Sequence, residues 1–312
     1  SDSTKGWLPL EDDVAADVPI KGIQKAIFGF GWNGSTAFSL TNLVTSSGVI
    51  GSDVTGVGSI RYTPAGATYG TDKGIFAYGN SGSHGLINMS SLVTNVGVVG
   101  ADVSGVGTAR SRTAANSYGS DKAIFAFGNA SPFTAISNLV SNVGVIATDT
   151  AGVGTARQAP SATGYGVGLA IIAYGDTGSD TAISNLISSS GVVASDVTGV
   201  GTVRNDAAAG QYGFDKGIFA YGISGSVISI SNLVSNSGVV ASDVTGVGTA
   251  RSSLAASTYG GDKVIFAYGY TGSNPGVSMS NLVTNVGVVG SDVTGVGSVR
   301  FLVGATGYSL SA

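Results

Sequence analysis

The sequence predicts an all-β fold made of six copies of one unit, and three observations lead to this prediction. The block that begins Lys25-Ala26-Ile27-Phe28 returns near residues 73, 122, 169, 216 and 263. A fixed period of this size is typical of solenoids and propellers. Charged residues make up 10% of the chain and hydrophobic residues 43%, and 51 of the 312 residues are glycine. This composition indicates a folded, turn-rich β protein rather than a disordered one.

One copy contains four short strands, as its fifth occurrence illustrates. Residues 216–222 show the alternation of side-chain character that is typical of a strand and end on glycine. Residues 227–234 form a second strand. Residues 239–242 form a short third strand, and residues 254–260 a fourth strand of small residues before a tight Gly261-Asp262 turn. Four strands in one period are the content of one propeller blade. We therefore predict a six-bladed β-propeller of four-stranded blades, in which the small-residue strand is innermost.

The two ends of the repeat region indicate how the ring closes. The first copy has no small-residue strand before Lys25, whereas residues 301–308 have the form of such a strand with no partner after it. A C-terminal strand placed in the first blade would remove the free sheet edges. The predicted domains are thus an N-terminal arm over residues 1–20, outside the repeats, and a propeller over residues 21–312.

The repeat resembles the kelch repeat over residues 25 to 308. The resemblance lies in an arginine, a small-residue strand, a tight turn, an aromatic-containing strand that ends in glycine, and a polar turn. In the last copy these are Arg251, Ala255-Ala256, Gly261-Asp262, residues 263–269 and residues 281–285. In this chain Tyr-Gly or Phe-Gly replaces the kelch Gly-Gly pair, and Gly-Val replaces the outer tryptophan.

The amino-acid sequence of the repeat is also similar to tandem repeats in virion-associated proteins of tailed bacteriophages, notably marine ones. This resemblance implies a location on the virion, with an extracellular protein as the alternative. The implied partners are other virion proteins or a host-surface receptor or glycan, and self-association into a homo-oligomer or multi-copy assembly agrees with it. The net charge of −4 without a basic patch argues against nucleic acid. No apolar run approaches the roughly 20 residues of a membrane helix, so we expect no membrane insertion.

An aspartate and an arginine recur eight residues apart in every copy. Because they are present in all six, we favour a structural role, with a salt bridge or a carboxylate that caps turn amides within each blade. A channel lined by ion pairs, or a ring of carboxylates that binds cations, is the alternative. The residues are Asp53, Arg61, Asp102, Arg110, Asp149, Arg157, Asp196, Arg204, Asp243, Arg251, Asp292 and Arg300.

The sequence offers little material for catalysis. It has one histidine and no cysteine, and most of its acids belong to the repeated framework. Within the predicted propeller, Asp176, Asp180 and Asp206 are the acids that stand outside this framework, and the first two share a loop. We therefore predict no enzyme, no catalytic residue, no metal and no cofactor. The Asp-Val-Thr-Gly-Val-Gly segment carries one carboxylate per copy, whereas calcium needs six to eight oxygen ligands.

The loop after the first strand of each copy varies most. Aromatic residues among Asn, Asp and Ser suit recognition of a glycan or protein, because an aromatic face stacks while amides form hydrogen bonds. Unconstrained drift of surface loops explains the variation equally well. The candidate binding residues are Trp32, Asn33, His84, Phe133, Asp176, Asp180, Tyr270 and Asn274.

Together these observations predict a non-enzymatic binding or structural module. Its expected place is a tail fibre, baseplate or capsid decoration, where the variable loops attach to a host or to a neighbouring virion protein. A free lectin-like propeller that binds carbohydrate is the alternative. A polysaccharide hydrolase that uses Asp176 and Asp180 is a third hypothesis.

Overall fold

The computed structural model describes residues 22–312, so the predicted arm over residues 1–20 lies outside the described part. Every regular element in that part is a β-strand. No helix within it has the length and hydropathy needed to cross a membrane. The strands are β1 Lys25–Trp32, β2 Ala37–Val44, β3 Ala65–Tyr69, β4 Lys73–Ala77, β5 Ser90–Val93, β6 Val99–Val103, β7 Ala114–Tyr118, β8 Lys122–Asn129, β9 Phe133–Val140, β10 Ser161–Tyr165, β11 Leu169–Ala173, β12 Ser184–Ile187, β13 Ala208–Tyr212, β14 Lys216–Ala220, β15 Ile223–Ser224, β16 Ser226–Val227, β17 Ser231–Val234, β18 Ala255–Tyr259, β19 Lys263–Ala267, β20 Ser280–Val283 and β21 Gly304–Tyr308.

These strands form six small antiparallel sheets, as the six copies predict, together with a short hairpin of β15 and β16. We number the sheets 1 to 6 along the chain. Their strand orders are β2-β1-β21, β3-β4-β5-β6, β7-β8-β9, β10-β11-β12, β13-β14-β17 and β18-β19-β20. Six such sheets are consistent with a propeller, so the predicted architecture is confirmed at this level.

The small-residue strands lie innermost. β21, β3, β7, β10, β13 and β18 contact one another in this order, and β18 contacts β21 again. Their alanines, glycines and serines allow six strands to converge where larger side chains would collide. The larger residues of the second strands fill the space between sheets. Phe28 packs edge-to-face on Tyr268 and Phe125 on Tyr78, at 5.4 Å between ring centroids, a geometry worth about 0.5–1.5 kcal/mol per pair.

Sheet 1 contains strands from both ends of the described chain. β21 pairs with β1 in an antiparallel register that places Lys25 opposite Tyr308 and Gly29 opposite Gly304. One backbone hydrogen bond joins each sheet to the next at the turn after its inner strand. The donors and acceptors are Gly70 to Asp121, Gly119 to Gly168, Gly166 to Asp215, Gly213 to Asp262, Gly260 to Gln24 and Ser309 to Asp72, at 2.7 to 3.0 Å.

The prediction of four regular strands in each unit is wrong for five of the six sheets. Only sheet 2 has a fourth strand, β6, whereas the equivalent segment elsewhere meets the third strand at isolated bridges. A side chain explains the difference. In sheet 3 the amide Nδ2 of Asn138 donates to the Ala147 carbonyl and to Asp149, both at 2.9 Å. This Asn occurs in every sheet but sheet 2, where Ser91 is too short to reach so far and the backbone pairs regularly instead.

Candidate functional site

The six variable loops lie at one end of the sheets. Each loop follows the strand that lies next to the inner strand of its sheet. The last residues of that strand pair with the first residues of the inner strand, as Ala77 does with Ala65 and Ala220 with Ala208. We call the surface formed by these loops the loop face. The opposite surface, formed by the tight turns after the inner strands, is the hairpin face. All eight candidate binding residues belong to the loop face.

Four aromatic residues follow one another over sheets 6, 1 and 2 of the loop face. Tyr270 lies against Phe301 at 5.0 Å between ring centroids, and Trp32 lies against Tyr62 at 5.3 Å. Backbone hydrogen bonds in both directions tie Trp32 to Phe301. We call these four residues the aromatic row. Trp32, Tyr270 and Phe133 are half-buried rather than fully exposed. For Trp32 and Tyr270 the reason is that Tyr62 and Phe301, from the connections that lead into the next sheet, pack against their rings.

Polar side chains occupy the other half of the loop face, over sheets 3 to 5. Gln158 donates to Asp176 at 2.8 Å and accepts from the Asn129 amide at 3.2 Å. The Asn205 amide donates to Asp180. The two loop aspartates, which the sequence suggested were solvated charges or a hydrolase pair, are therefore each held by an amide from a neighbouring connection. Gln158 and Asn205 were missed because they follow the repeated arginines, outside the variable loops.

The remaining candidates lie at loop tips. His84 is exposed, and its Nδ1 lies 2.9 Å from the Ser83 hydroxyl. The Asn33 side-chain oxygen accepts from the Ser35 and Thr36 amides and so shapes its own loop. Asn274 is exposed and reaches the first loop, where a Cβ on Gly34 would collide with its amide. The tips of sheets 6 and 1 are thus in contact.

A ring of six residues surrounds the axis on the loop face. Each has a positive φ between 49° and 57°, and one comes from each connection that leads into an inner strand. Backbone hydrogen bonds of 2.7 to 3.3 Å join five neighbouring pairs of the ring, including the pair of Thr63 and Leu302. We call it the axial ring, and its members are Thr63, Arg112, Ala159, Asp206, Ser253 and Leu302.

One ion pair crosses the axial ring. Arg112 Nη1 lies 2.6 Å from Asp206 Oδ2, and the two residues come from sheets 3 and 5, which are not neighbours. The sequence pattern does not predict a role for Arg112, although it is the one arginine outside the repeated spacing. The sequence marks Asp206 as a singular acid but indicates no partner for it. Together they form the charged centre of the loop face.

An axial cavity of about 470 Å³ opens toward the hairpin face. This volume is within the range of small-molecule sites. Residues 22–312 contribute no charged side chain to its lining. Most lining residues are small, and the larger ones are Ile23, Asn116, Tyr118, Leu169, Gln211, Phe214 and Leu310. The Gln211 amide donates to the Phe214 carbonyl at the rim. The cavity is therefore uncharged and has both polar and apolar walls, unlike the axial ring.

The repeated Asp and Arg residues belong to the framework of the sheets. Each arginine is fully buried, and its guanidinium stacks on an aromatic ring of the preceding sheet, at 4.0 Å for Arg110 over Tyr78. Arg110 also donates to the Phe127 carbonyl at 3.0 Å and to Asn138 at 2.7 Å. Since planar guanidinium groups both stack and donate, each arginine links two sheets.

The predicted pairing of Asp with the Arg eight residues later needs a correction. The ion pairs instead join Arg61 to Asp102 at 3.6 Å, Arg251 to Asp292 at 3.9 Å and Arg300 to Asp53 at 3.9 Å. Each pair stays within one sheet but takes its two residues from successive copies. The reason is that an arginine leads into its sheet at the inner strand, whereas the aspartate of that sheet follows the third strand.

The aspartates also cap turn amides. Asp149 accepts from the Thr108 backbone N–H at 3.0 Å and from its hydroxyl at 2.6 Å. Desolvation raises the pKa of Asp149, but the hydrogen bonds from Thr108 and Asn138 and the nearby Arg110 outweigh it, so that its pKa is lowered. Burial lowers the pKa of Arg157 to about 10, partly opposed by Asp196. The repeated aspartates and arginines are therefore both charged at neutral pH.

No protein-family description and no curated protein matches this sequence. Among solved structures, the fold is similar to that of a fungal alcohol oxidase of the AA5 family in complex with copper. The two share 11% identity with a TM-score of 0.54, over 88% of this chain and 66% of the oxidase. The chain thus matches about two thirds of the oxidase, and at this identity the likeness shows the fold alone.

This likeness contradicts the prediction that the chain is not an enzyme. The prediction rested on the scarcity of singular acids, yet a solved protein of similar fold is a copper-containing oxidase. The residues of this chain do not fit a copper site. Copper favours imidazole and thiolate ligands, whereas the sequence has one histidine and no cysteine. Within residues 22–312, His and the acidic residues form no cluster of three or more.

Proposed function

We propose that the protein is a binding module built on a six-bladed, kelch-like propeller that its C-terminal strand closes in the first blade. The pairing of β21 with β1 supports closure. The hydrogen bonds from Gly260 to Gln24 and from Ser309 to Asp72 also support it, because they make the first and last junctions equivalent to the others. A closed ring has no free sheet edge at its seam and is a rigid support for loops.

We propose the loop face as the binding surface, and one observation carries this assignment. Among residues 22–312, the charged side chains outside the repeated positions are Arg112, Asp176, Asp180 and Asp206, and all four lie on the loop face. Repeated charges are explained by the framework that they form. Charges that depart from the repeat on one surface have no such explanation, and they fit recognition of a partner.

The proposed setting is the surface of a phage particle, where the module contacts a neighbouring virion protein or a host-surface receptor. The resemblance of the repeat to virion-associated tandem repeats supports this setting. Carbohydrate binding by a free, lectin-like protein is the second candidate, and the aromatic row favours it. Tilted, half-buried rings beside the amides of Asn33 and Asn274 suit the stacking and hydrogen bonding of a sugar.

Binding to a glycan array and to purified host cells tests the loop face. We expect Trp32→Ala and Asp176→Asn each to weaken binding about tenfold or more, since each removes a contact at the surface. Val167→Ala is the matched control, because Val167 is 84% exposed on the hairpin face. Equal loss of binding in the control, or no loss in either loop variant, would contradict the assignment.

A further inference from the structure

The axial ring does not need a charge to form. Four of its six positions hold Thr63, Ala159, Ser253 and Leu302, which adopt the same left-handed backbone as Arg112 and Asp206. The ion pair also joins sheets that are not neighbours, so it strengthens none of the junctions between adjacent sheets. Partly exposed pairs of this kind contribute little to stability. The pair therefore has no evident role in the scaffold.

A small cavity of about 90 Å³ lies against the pair on the axis. Arg112, Thr113 and Asp206 line it. The Thr113 hydroxyl is buried without a hydrogen-bond partner, and the residue is 8% exposed. An unpaired buried hydroxyl costs free energy, so a ligand that accepts its proton would be favoured. The space equals that of about three water molecules, so it can admit a carboxylate group while the rest of a larger ligand stays on the loop face.

The guanidinium of Arg112 keeps hydrogen-bond donors available for a ligand. A guanidinium carries five N–H groups, and Arg112 uses one nitrogen on Asp206. Its side chain is 31% exposed and that of Asp206 is 16% exposed, so both can be reached from the loop face. An entering carboxylate would accept from Arg112 and Thr113, while a hydroxyl beside it would donate to Asp206.

We propose that the axial ring binds a hydroxy-carboxylate, and specifically the acidic sugar unit of a uronic-acid-containing glycan. The carboxylate pairs with Arg112 and Thr113, and a ring hydroxyl pairs with Asp206. Charge-assisted hydrogen bonds to a guanidinium are the strong ones, and they select a carboxylate over a neutral group. This inference rests on the proposed binding role of the loop face and names the ligand class at its centre.

Calorimetric titration of the full chain with glucuronate, and with glucose as the uncharged match, tests the proposal. We expect glucuronate to bind at least about tenfold more tightly than glucose, and Arg112→Gln to abolish this preference. Val167→Ala is the control variant, because Val167 lies on the hairpin face and lines no part of this cavity. Similar affinities for the two sugars in the wild type would overturn the proposal.

A second variant keeps the test decisive if Arg112→Gln does not fold. Because a ligand hydroxyl pairs with Asp206 in the proposal, the wild type should bind glucuronate more tightly than acetate, and Asp206→Ala should reduce this preference about threefold or more. An ion pair with no role in binding would leave the preference for glucuronate over acetate unchanged, and that result would overturn the proposal. Titration with an oligomer of glucuronate as well as with the monomer shows whether the site binds the acidic unit of a glycan or only the free sugar acid. Should only these arms fail while Trp32→Ala still weakens glycan or cell binding, the proposed role of the loop face stands.

Discussion

Six buried arginines connect the sheets, and an aspartate lies near each of them in the same sheet. Each arginine combines an aromatic ring of one sheet with hydrogen-bond acceptors of the next, as Arg157 does with Phe127, Tyr174 and Asn185. Buried guanidinium groups without partners would be costly. The spacing of the arginines in the sequence therefore reflects a packing requirement that recurs at every junction.

Acid should destabilise the protein through these aspartates. Desolvation raises the pKa of Asp102, but hydrogen bonds from Ser59 and the charge of Arg61 outweigh it, so that its pKa lies below the ordinary value of 3.8. Its contribution is thus present above the unfolded pKa and is lost as pH falls through the folded pKa. We expect the melting temperature to be nearly level between about pH 7 and 5 and to fall below about pH 4.

The variant Asp102→Asn tests this assignment. At pH 7 it should lower the free energy of unfolding by about 1 kcal/mol, because an amide is a weaker acceptor for Ser59 and leaves Arg61 without its counter-charge. The difference from the wild type should shrink at pH 3, below the ordinary carboxyl pKa, because the unfolded wild-type chain takes up a proton there and the advantage of the charged carboxylate in the folded state is being lost. Chemical denaturation at both pH values measures it, and an equal difference at both would contradict the role given to ionisation.

At the scale of the element, one side chain decides whether the outer segment of a sheet is a regular strand. Ser91 stands where the other sheets have asparagine, and Arg61 in the same sheet has two buried nitrogens, Nε and Nη1, without a hydrogen-bond partner. Its Nη2 donates to the Ser91 hydroxyl at 2.6 Å. Sheet 2 thus combines a regular β6 with a less well satisfied arginine.

The variant Ser91→Asn should give Arg61 a better hydrogen-bond partner and make β6 less regular. The longer amide would reach the Gly100 carbonyl, nine residues on, as Asn138 reaches Ala147. We expect the free energy of unfolding to rise by about 1 kcal/mol and amide exchange to become faster in Val99–Val103. Hydrogen exchange and thermal melting measure the two effects. The reciprocal Asn138→Ser should lower stability, and a stabilised Asn138→Ser would contradict this account.

The two ends of the described chain meet in sheet 1. β21 pairs with β1 and lies between β18 and β3. Its residues Gly304–Tyr308 are all buried. Removing it would leave the inner edge of β1 unpaired and the inner strands with a gap.

Deletion of residues 301–312 should open the ring and lower the melting temperature by about 10 °C or more. Deletion of residues 311–312, which are exposed, is the control and should leave the melting temperature unchanged. Scanning calorimetry measures both. If the longer truncation had the same melting temperature as the full chain, closure by this strand would be refuted.

Much of the fold was predictable, because the repeat carries local information. The alternation of residues 216–222 predicted β14, and the small residues of 255–259 predicted an inner strand at β18. The fourth strands were over-predicted, since alternation cannot show that an asparagine side chain will take the place of a backbone hydrogen bond. In the candidate site, the loops were predicted to contain the variable residues, but their amide partners Gln158 and Asn205 were not.

The number of sheets, the positions of the inner strands and the framework role of the repeated arginines follow from the repeat, because they depend on a pattern that every copy contains. Which residues meet across copies is visible only once the chain is folded. Arg61 pairs with Asp102 rather than Asp53, and Arg112 meets Asp206 although 94 residues separate them. Periodicity describes each unit alone, whereas these contacts depend on how six units converge on one axis. The residues that the axis brings together are the ones that distinguish the copies.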